Sequence, residues 1–331
     1  MKYADSIIPK PSSGEVLVKI LAVGICGTDI HAYTGNQPYF TYPRVLGHEL
    51  CGTITELGEN CGDEFVVGDR VALIPYVSCG ECSSCLSGKT NCCENIAVIG
   101  VHRDGGFSEF LNVPIKSILK VNGIASKTAA LIEPFAISAH AVRRATLSRG
   151  EHVLVVGAGP IGVGAAAIAA ADGARVVVAD TQLSRREHIQ KNLGPDIETL
   201  DPSEADFEQK LRNIFNGDLA ATVIDATGNA RAMNHSVNHI RHGGKIVFVG
   251  LFKGNLEISD PDFHKKETTM MGSRNATRED FAKVQQLMQD GKLSAEMMLT
   301  HSFAFEEIGH TYERDVINNK ALLKGVIEFN E

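Results

Sequence analysis

Five of the chain's eight cysteines fall between residues 79 and 93. Cys79, Cys82 and Cys85 are spaced C-x2-C-x2-C, and Cys92 and Cys93 stand further on. Four thiolates on one loop close a tetrahedral shell around zinc and leave no coordination position for chemistry, so such a site is structural. Spacing alone barely separates Cys92 from Cys93 as the fourth ligand. In a reducing compartment a cluster of this kind points to metal before disulfide.

A second group of ligand-type residues is scattered. Cys26 stands in a turn after an apolar run, in Gly24-Ile25-Cys26-Gly27-Thr28-Asp29-Ile30-His31. His48 and Glu49 follow Gly47, and Glu133 stands in Ile132-Glu133-Pro134. One thiolate, one imidazole and carboxylates make a mixed shell that leaves a position for water or substrate, which is what a catalytic zinc requires.

The third constellation binds phosphate. Val153–Val156 is a wholly apolar strand that runs into Gly157-Ala158-Gly159-Pro160-Ile161-Gly162, and an Ala-rich helix follows. Strand, G-x-G-x-x-G and helix together are the dinucleotide fingerprint. Gly157 allows the tight turn, Gly159 lets a pyrophosphate reach the backbone, and Gly162 permits close helix–strand packing. Asp180, 23 residues after Gly157, ends the next strand. A carboxylate there accepts from the ribose hydroxyls and repels a 2′-phosphate, so NAD is expected over NADP. Arg185 either serves a 2′-phosphate or packs on the adenosine. Thr227, Val249 and Gly250, at the ends of two later strands, complete the expected cofactor contacts.

Two kinds of element must position these groups. Residues 1 to about 130 hold short β-type runs (16–23, 45–54, 70–74) broken by Gly, Pro and Asn, which predicts a mostly β domain with long loops. From about 150 the chain alternates strand and helix: strands at 153–156, 175–180, 197–200, 221–226 and 245–251, helices at 160–172, 184–192, 203–216 and 229–240. Buried parallel strands read as continuous apolar runs, so this half is α/β, a Rossmann doubly wound parallel sheet. A further strand is expected at 268–273 and an amphipathic helix at 278–289, with the tail returning to the first domain. The expected boundaries are 1–136 and 274–331 for the β domain and 137–273 for the dinucleotide domain.

The chain has 331 residues, a net charge of −8 and 44% hydrophobic residues. That is the profile of a globular protein, with no basic surface for nucleic acid. No apolar stretch is long enough to span a membrane, and the first residues lack the apolar core of a signal peptide. A cytoplasmic location is therefore expected.

Taken together, the four-cysteine loop, Cys26-x-Thr28, Gly47-His48-Glu49, Glu133-Pro134 and the Gly157–Gly162 turn resemble the zinc-dependent medium-chain alcohol dehydrogenase family over essentially the whole chain. Within it they resemble the polyol and threonine dehydrogenase branch. The resemblance implies a GroES-like catalytic domain beside the Rossmann domain, two zinc ions and NAD. It implies Cys93 as the fourth structural ligand. Cys26 and His48 become catalytic zinc ligands, Glu49 a ligand or close neighbour of the metal, and Glu133 a further ligand, directly or through water. Thr28 and His31 match the family's proton relay, which runs through the nicotinamide ribose. Family members generally open with one more strand ahead of the part matching 6–11. Homodimer or homotetramer formation is expected on the same grounds, with 268–273 extending a sheet across a two-fold axis.

Longer strings, 35–49, 87–94, 130–145, 264–277 and 312–319, are similar to bacterial members that oxidise the C5 hydroxyl of a hexonate such as L-galactonate. An anionic sugar acid calls for a cation. His102 and Arg274, with Asn275 beside it, are the candidate substrate residues, and Arg103, Lys265 and Lys266 are further cations in or near those strings. The alternatives are a dehydrogenase of a neutral polyol such as sorbitol or of L-threonine, and a catalytically silent NAD- and zinc-binding scaffold.

Overall fold

The computed structural model describes residues 1–36 and 41–330; residues 37–40, part of the 35–49 string, lie outside them. The chain divides into two compact units, Met1–Pro134 with Ala276–Glu331, and Phe135–Asn275. In chain order the first unit contributes β1 (Glu15–Ile25), β2 (Glu49–Leu57), β3 (Arg70–Leu73), β4 (Tyr76–Val77), β5 (Ala97–Val98), β6 (Phe110–Pro114) and β7 (Ile118–Lys120). The second contributes β8 (His152–Val156), β9 (Arg175–Ala179), β10 (Glu198–Leu200), β11 (Ala220–Asp225), β12 (Ile240–Phe248) and β13 (Thr269–Gly272). The chain then returns to the first unit with β14 (His301–Ala304) and β15 (Gly325–Glu328).

In the first unit the main sheet runs β14-β15-β1-β2-β3-β7, with β6 also paired to β1. Strand β1 is its spine: Val16, Val18, Ile20 and Val23 bury their side chains against Leu50, Ile54, Val71 and Leu73. The antiparallel register sets Gly24 opposite Glu49, and β15 returns to set Gly325 opposite Ile25. The tail therefore touches the end of β1, immediately before Cys26. The four-cysteine lobe hangs from a separate two-stranded ribbon, β4 paired with β5.

The strand expected over 45–54 begins at Glu49. Gly47 takes φ +93°, outside strand geometry, and residues 45–47 are gripped from the side instead. Gly105, Phe107 and Gly106 donate their N–H groups to the carbonyls of Val45, Leu46 and Gly47 at 2.8, 2.9 and 2.8 Å. A Cβ at Gly105 would overlap the Gly47 carbonyl oxygen, so the loop can approach only as glycine.

The second unit is a wholly parallel sheet in the order β10-β9-β8-β11-β12-β13. Its central strands β8, β9 and β11 are buried almost throughout, the basis of the continuous apolar runs in the sequence, whereas the edge strands β10 and β13 are partly exposed. Strand β12 starts at Ile240 rather than 245: Gly243-Gly244 interrupts the apolar pattern, and the pairing with β11 jumps there from Ala220↔Ile240 to Thr222↔Lys245. The helix expected over 229–240 shortens to Ala230–His235 followed by a 3-10 turn. The segment around Glu133, not read as helical in the sequence, opens the 14-residue helix Ile132–Ala145. Pro134 is tolerated there because first-turn N–H groups have no intrahelical partner. Among the described residues no helix is long and apolar enough to cross a membrane.

Candidate active site

The two metal-type groups differ in construction. Cys79, Cys82, Cys85 and Cys93 bring their sulfurs together within 4.8 Å of one another, and exposed Cys92 lies outside the cluster. The Sγ atoms of Cys79 and Cys93 are 3.5 Å apart and those of Cys79 and Cys85 4.0 Å apart. Sulfurs sharing one tetrahedral zinc at ~2.3 Å would stand about 3.8 Å apart. Backbone N–H groups of Glu81 and Cys82 aim at Cys79 and pull its thiol down to about 6. Burial pushes Cys85 up to about 12. In the absence of metal, then, some of these thiols ionise readily while at least one resists.

The second group is assembled from three elements. Cys26 caps the short helix Gly27–Tyr33, His48 precedes β2 and Glu49 is its first residue. Their donor atoms also lie within 4.8 Å of one another. Asp29, fully buried, fixes the arrangement. Its carboxylate accepts from the Cys26 N–H at 2.9 Å and the Gly47 N–H at 3.3 Å, and stands 3.8 Å from His48 Nδ1. Burial opposes a charged His48, yet the Cys26 thiolate and Asp29 beside it hold its pKa well above the usual histidine value. A donor set that recruits a proton in this way is short of positive charge, which a divalent cation supplies. Thiolate, imidazole and carboxylate together are zinc chemistry.

Glu133 sits in the first turn of its helix, where the dipole favours an anion. Burial outweighs this and pushes its carboxyl up to about 7, with His48 opposing and Glu49 assisting. Tyr76, the first residue of β4, donates its hydroxyl to Glu133 Oε1 and packs edge-on against Phe281. Glu49 accepts from Lys324; no motif marked Lys324 or Tyr76, and Asp29 stood in a recognised string with no role assigned to it. Thr28 and His31 lie three residues apart on the Gly27–Tyr33 helix, which places them on one face, with Thr28 half-buried and His31 exposed.

In the second unit Gly157 takes φ +95°, and a Cβ there would press on Thr227. A Cβ at Gly162 would overlap the Gly157 carbonyl. Pro160 opens the helix Pro160–Ala171, with Ile161 following, so free N–H groups face the glycine turn. Asp180 accepts from the N–H groups of Ala158 and Gln182 at 2.7 and 2.8 Å, which ties the strand end to the turn. Arg186 braces this corner: its guanidinium donates to the Asp180 carbonyl at 2.6 Å and to Asp201 at 3.0 Å. Arg185 is half-buried, and burial lowers its pKa while Asp180 opposes. Thr227 donates its N–H and hydroxyl to buried Asp225 at 2.9 and 2.6 Å. The N–H groups of Val249 and Gly250 reach the Asp225 carbonyl at 2.9 and 3.1 Å. The glycine turn, Asp180, Thr227, Val249 and Gly250 thus line the carboxyl ends of β8, β9, β11 and β12.

The substrate candidates are not gathered within one unit. His102 belongs to the first and accepts from the Val98 N–H through Nδ1 at 3.0 Å, while Arg274 and Asn275 end the second. Lys266 is engaged elsewhere, donating to the carbonyls of Val237 and Ile240 at 2.7 and 2.9 Å.

Comparison with known proteins agrees with these features. Residues 12–123 match the model of the alcohol dehydrogenase GroES-like domain, and residues 160–290 that of the zinc-binding dehydrogenases. The chain belongs to the zinc-dependent medium-chain alcohol dehydrogenase family. It is an oxidoreductase acting on a CH–OH group with a nicotinamide dinucleotide as acceptor. It is 66% identical over 322 residues, 97% of its length and 94% of the relative's, to the L-galactonate-5-dehydrogenase of Escherichia coli K12. It is 35% identical to the starvation-sensing protein RspB of the same organism, covering 98% of this chain and 95% of that one. A crystal structure of an alcohol dehydrogenase from E. coli CFT073 complexed with cofactor NADH superposes with a TM-score of 0.88 at 33% identity, covering 97% and 94% of the two chains.

Proposed function

We propose that the chain oxidises the C5 hydroxyl of L-galactonate to the ketone of D-tagaturonate, with NAD as acceptor. The observation that carries this reading is 66% identity, spread over 97% of the chain, to an L-galactonate-5-dehydrogenase. The preference for NAD rests on Asp180, whose carboxylate at the end of β9 repels a 2′-phosphate.

In this reading Cys26 and His48 hold the catalytic zinc, Glu133 and Glu49 supply the carboxylates around it, and Cys79, Cys82, Cys85 and Cys93 hold the structural zinc. When bound, zinc lowers the pKa of a coordinated hydroxyl and NAD accepts the hydride. The work of the chain's own residues is positioning and proton transfer. Asp29 fixes Cys26 and the backbone before His48 through two hydrogen bonds. Thr28 relays the hydroxyl proton, accepting it as its own hydroxyl proton is passed on, and His31, exposed on the same helix face, releases a proton to water at the end of the relay. His102, Arg274 and Asn275 remain the candidates for the substrate carboxylate.

The chain acts as a cytoplasmic homo-oligomer. Strand β13 supports self-association: it is an edge of the parallel sheet, available to pair with a copy.

The test is NADH formation with L-galactonate, sorbitol and L-threonine. We expect kcat/KM for L-galactonate to exceed that for sorbitol by at least about a hundredfold, because a site built for a carboxylate leaves polar groups unpaired with a neutral polyol, and to exceed that for L-threonine as well, whose shorter chain and ammonium do not match a hexonate. Equal rates on sorbitol would overturn the substrate, and no turnover with any alcohol would favour a scaffold.

A further inference from the structure

Tyr76 is the first residue of β4, and its phenol reaches Glu133, 57 residues further along the chain. Its backbone is held by pairing with Val98 in the β4–β5 ribbon and, just before it, by the Ile99 N–H, which donates to the Pro75 carbonyl at 3.0 Å. Its ring packs edge-on against Phe281, with centroids 6.3 Å apart and planes at 70°. Backbone and ring are therefore both fixed, and the hydroxyl they carry donates to Glu133 Oε1. Burial raises the pKa of this phenol well above its usual value, and the charges of Glu133, Cys26 and Glu49 raise it further. Facing these anions, the phenol keeps the proton with which it donates.

Glu133 is the member of the open site that most needs such a partner. The donor atoms of Cys26, His48 and Glu49 lie within 4.8 Å of one another, and Glu133 is not part of that compact group. It is brought in by the helix Ile132–Ala145, 5% exposed, and feels the charges of His48 and Glu49. A glutamate side chain turns about several bonds, so its carboxylate samples several staggered positions unless something holds it. We propose that Tyr76 is a positioning residue for the open site: it commits Oε1 of Glu133 to a fixed hydrogen bond, so that Oε2 is the oxygen presented to the metal. A carboxylate that arrives from a separate element gives up its rotamer freedom when it meets the metal, and that loss weakens its hold. Tied to Tyr76, Glu133 has given up the freedom beforehand. The inference rests on the zinc site proposed above, with Glu133 as one of its carboxylates, but not on the identity of the substrate.

The experiment measures release of zinc from the fully loaded enzyme to a chelator, in the absence of substrate. It compares wild type, Tyr76→Phe, Glu133→Ala and the double variant Tyr76→Phe/Glu133→Ala. Tyr76→Phe keeps the ring against Phe281 and loses only the hydroxyl. Its catalytic zinc should leave about tenfold faster, the zinc of the four cysteines should leave at the wild-type rate, and kcat should fall about tenfold. In the Glu133→Ala background the same change should have no further effect, because the carboxylate it acts on is gone. Unchanged release in Tyr76→Phe overturns the proposal. So does an equal acceleration with and without Glu133, which would mean that the phenol only supports the ribbon. Should Glu133→Ala fail to accumulate folded, Glu133→Leu refills the buried volume and takes its place in the cycle. Wild-type release in Glu133→Ala would remove Glu133 from the zinc site and overturn both readings, whereas a substrate other than L-galactonate leaves this measurement intact.

Discussion

The two metal-type clusters of this chain draw on different donors and are built in opposite ways. The four cysteines lie within fifteen residues, on a lobe tethered by a two-residue ribbon, and face one another with backbone N–H groups aimed at sulfur. The second cluster draws Cys26, His48 and Glu49 together, with Glu133, more than a hundred residues on from Cys26, feeling the charges of His48 and Glu49. It is deeply buried, crowded with negative charge and braced by Asp29, Tyr76 and Lys324. A closed site can be local because it has only to hold its ion. An open site needs a rigid surround that keeps its ligands from closing over the vacant position.

The comparison can be broken most directly at its ligands. Cys26→Ser or His48→Ala should cost turnover about a thousandfold or more, a loss of several kcal/mol of transition-state stabilisation. Dinucleotide binding, followed by NADH fluorescence, should persist, and near wild-type turnover would remove these residues from the site. Cys79→Ser or Cys93→Ser should instead take one zinc per chain and about 4 kcal/mol of stability, read by zinc analysis and thermal unfolding. Cys92→Ser, outside the cluster, should change neither.

A smaller effect tests the link between the lobe and the open site. Gly105→Ala would force a methyl onto the Gly47 carbonyl, beside His48. Turnover should fall up to about a hundredfold through misplacement alone, with the structural zinc retained. Loss of that zinc would show that the glycines serve the lobe instead.

The smallest effect concerns the cost of burying the open site without its metal. Burial raises Glu133 from 4.5 to about 7, so the metal-free native chain binds a proton that the unfolded chain has released across that window. Its stability should therefore fall as pH rises from 4.5 to 7. Relative to Glu133→Gln the loss should be on the order of 1–3 kcal/mol, measured by denaturant unfolding at several pH values. Parallel curves for the two chains would mean that burial at Glu133 carries no such penalty.

Legibility in the sequence followed the same division. The cysteine spacing placed four thiols in one loop, although it barely separated Cys92 from Cys93. The glycine turn and Asp180 were readable because strand, turn and helix are consecutive. The helix Ile132–Ala145 was not read; nor was the break at Gly47 that delays β2, which depends on N–H groups of residues 105–107, distant in the chain. Arg186 drew no notice beside Arg185, and its bond to Asp201 shows only once the fold brings the two together. Asp29 lay inside a recognised string without drawing notice, and Tyr76 and Lys324 carry no local signal at all.

By itself the sequence determined the donors: which thiols, imidazoles and carboxylates are available, and that a parallel α/β half follows a β half. Short-range spacing and side-chain period carry that information, since both are properties of the local backbone. Only the tertiary structure decided the electrostatics of the open site. How far Glu133 is pushed toward its neutral form depends on desolvation and on neighbouring charges, and Glu49 is held by Lys324, 275 residues away along the chain. Coulombic interaction and burial act through space, and sequence separation is no measure of them.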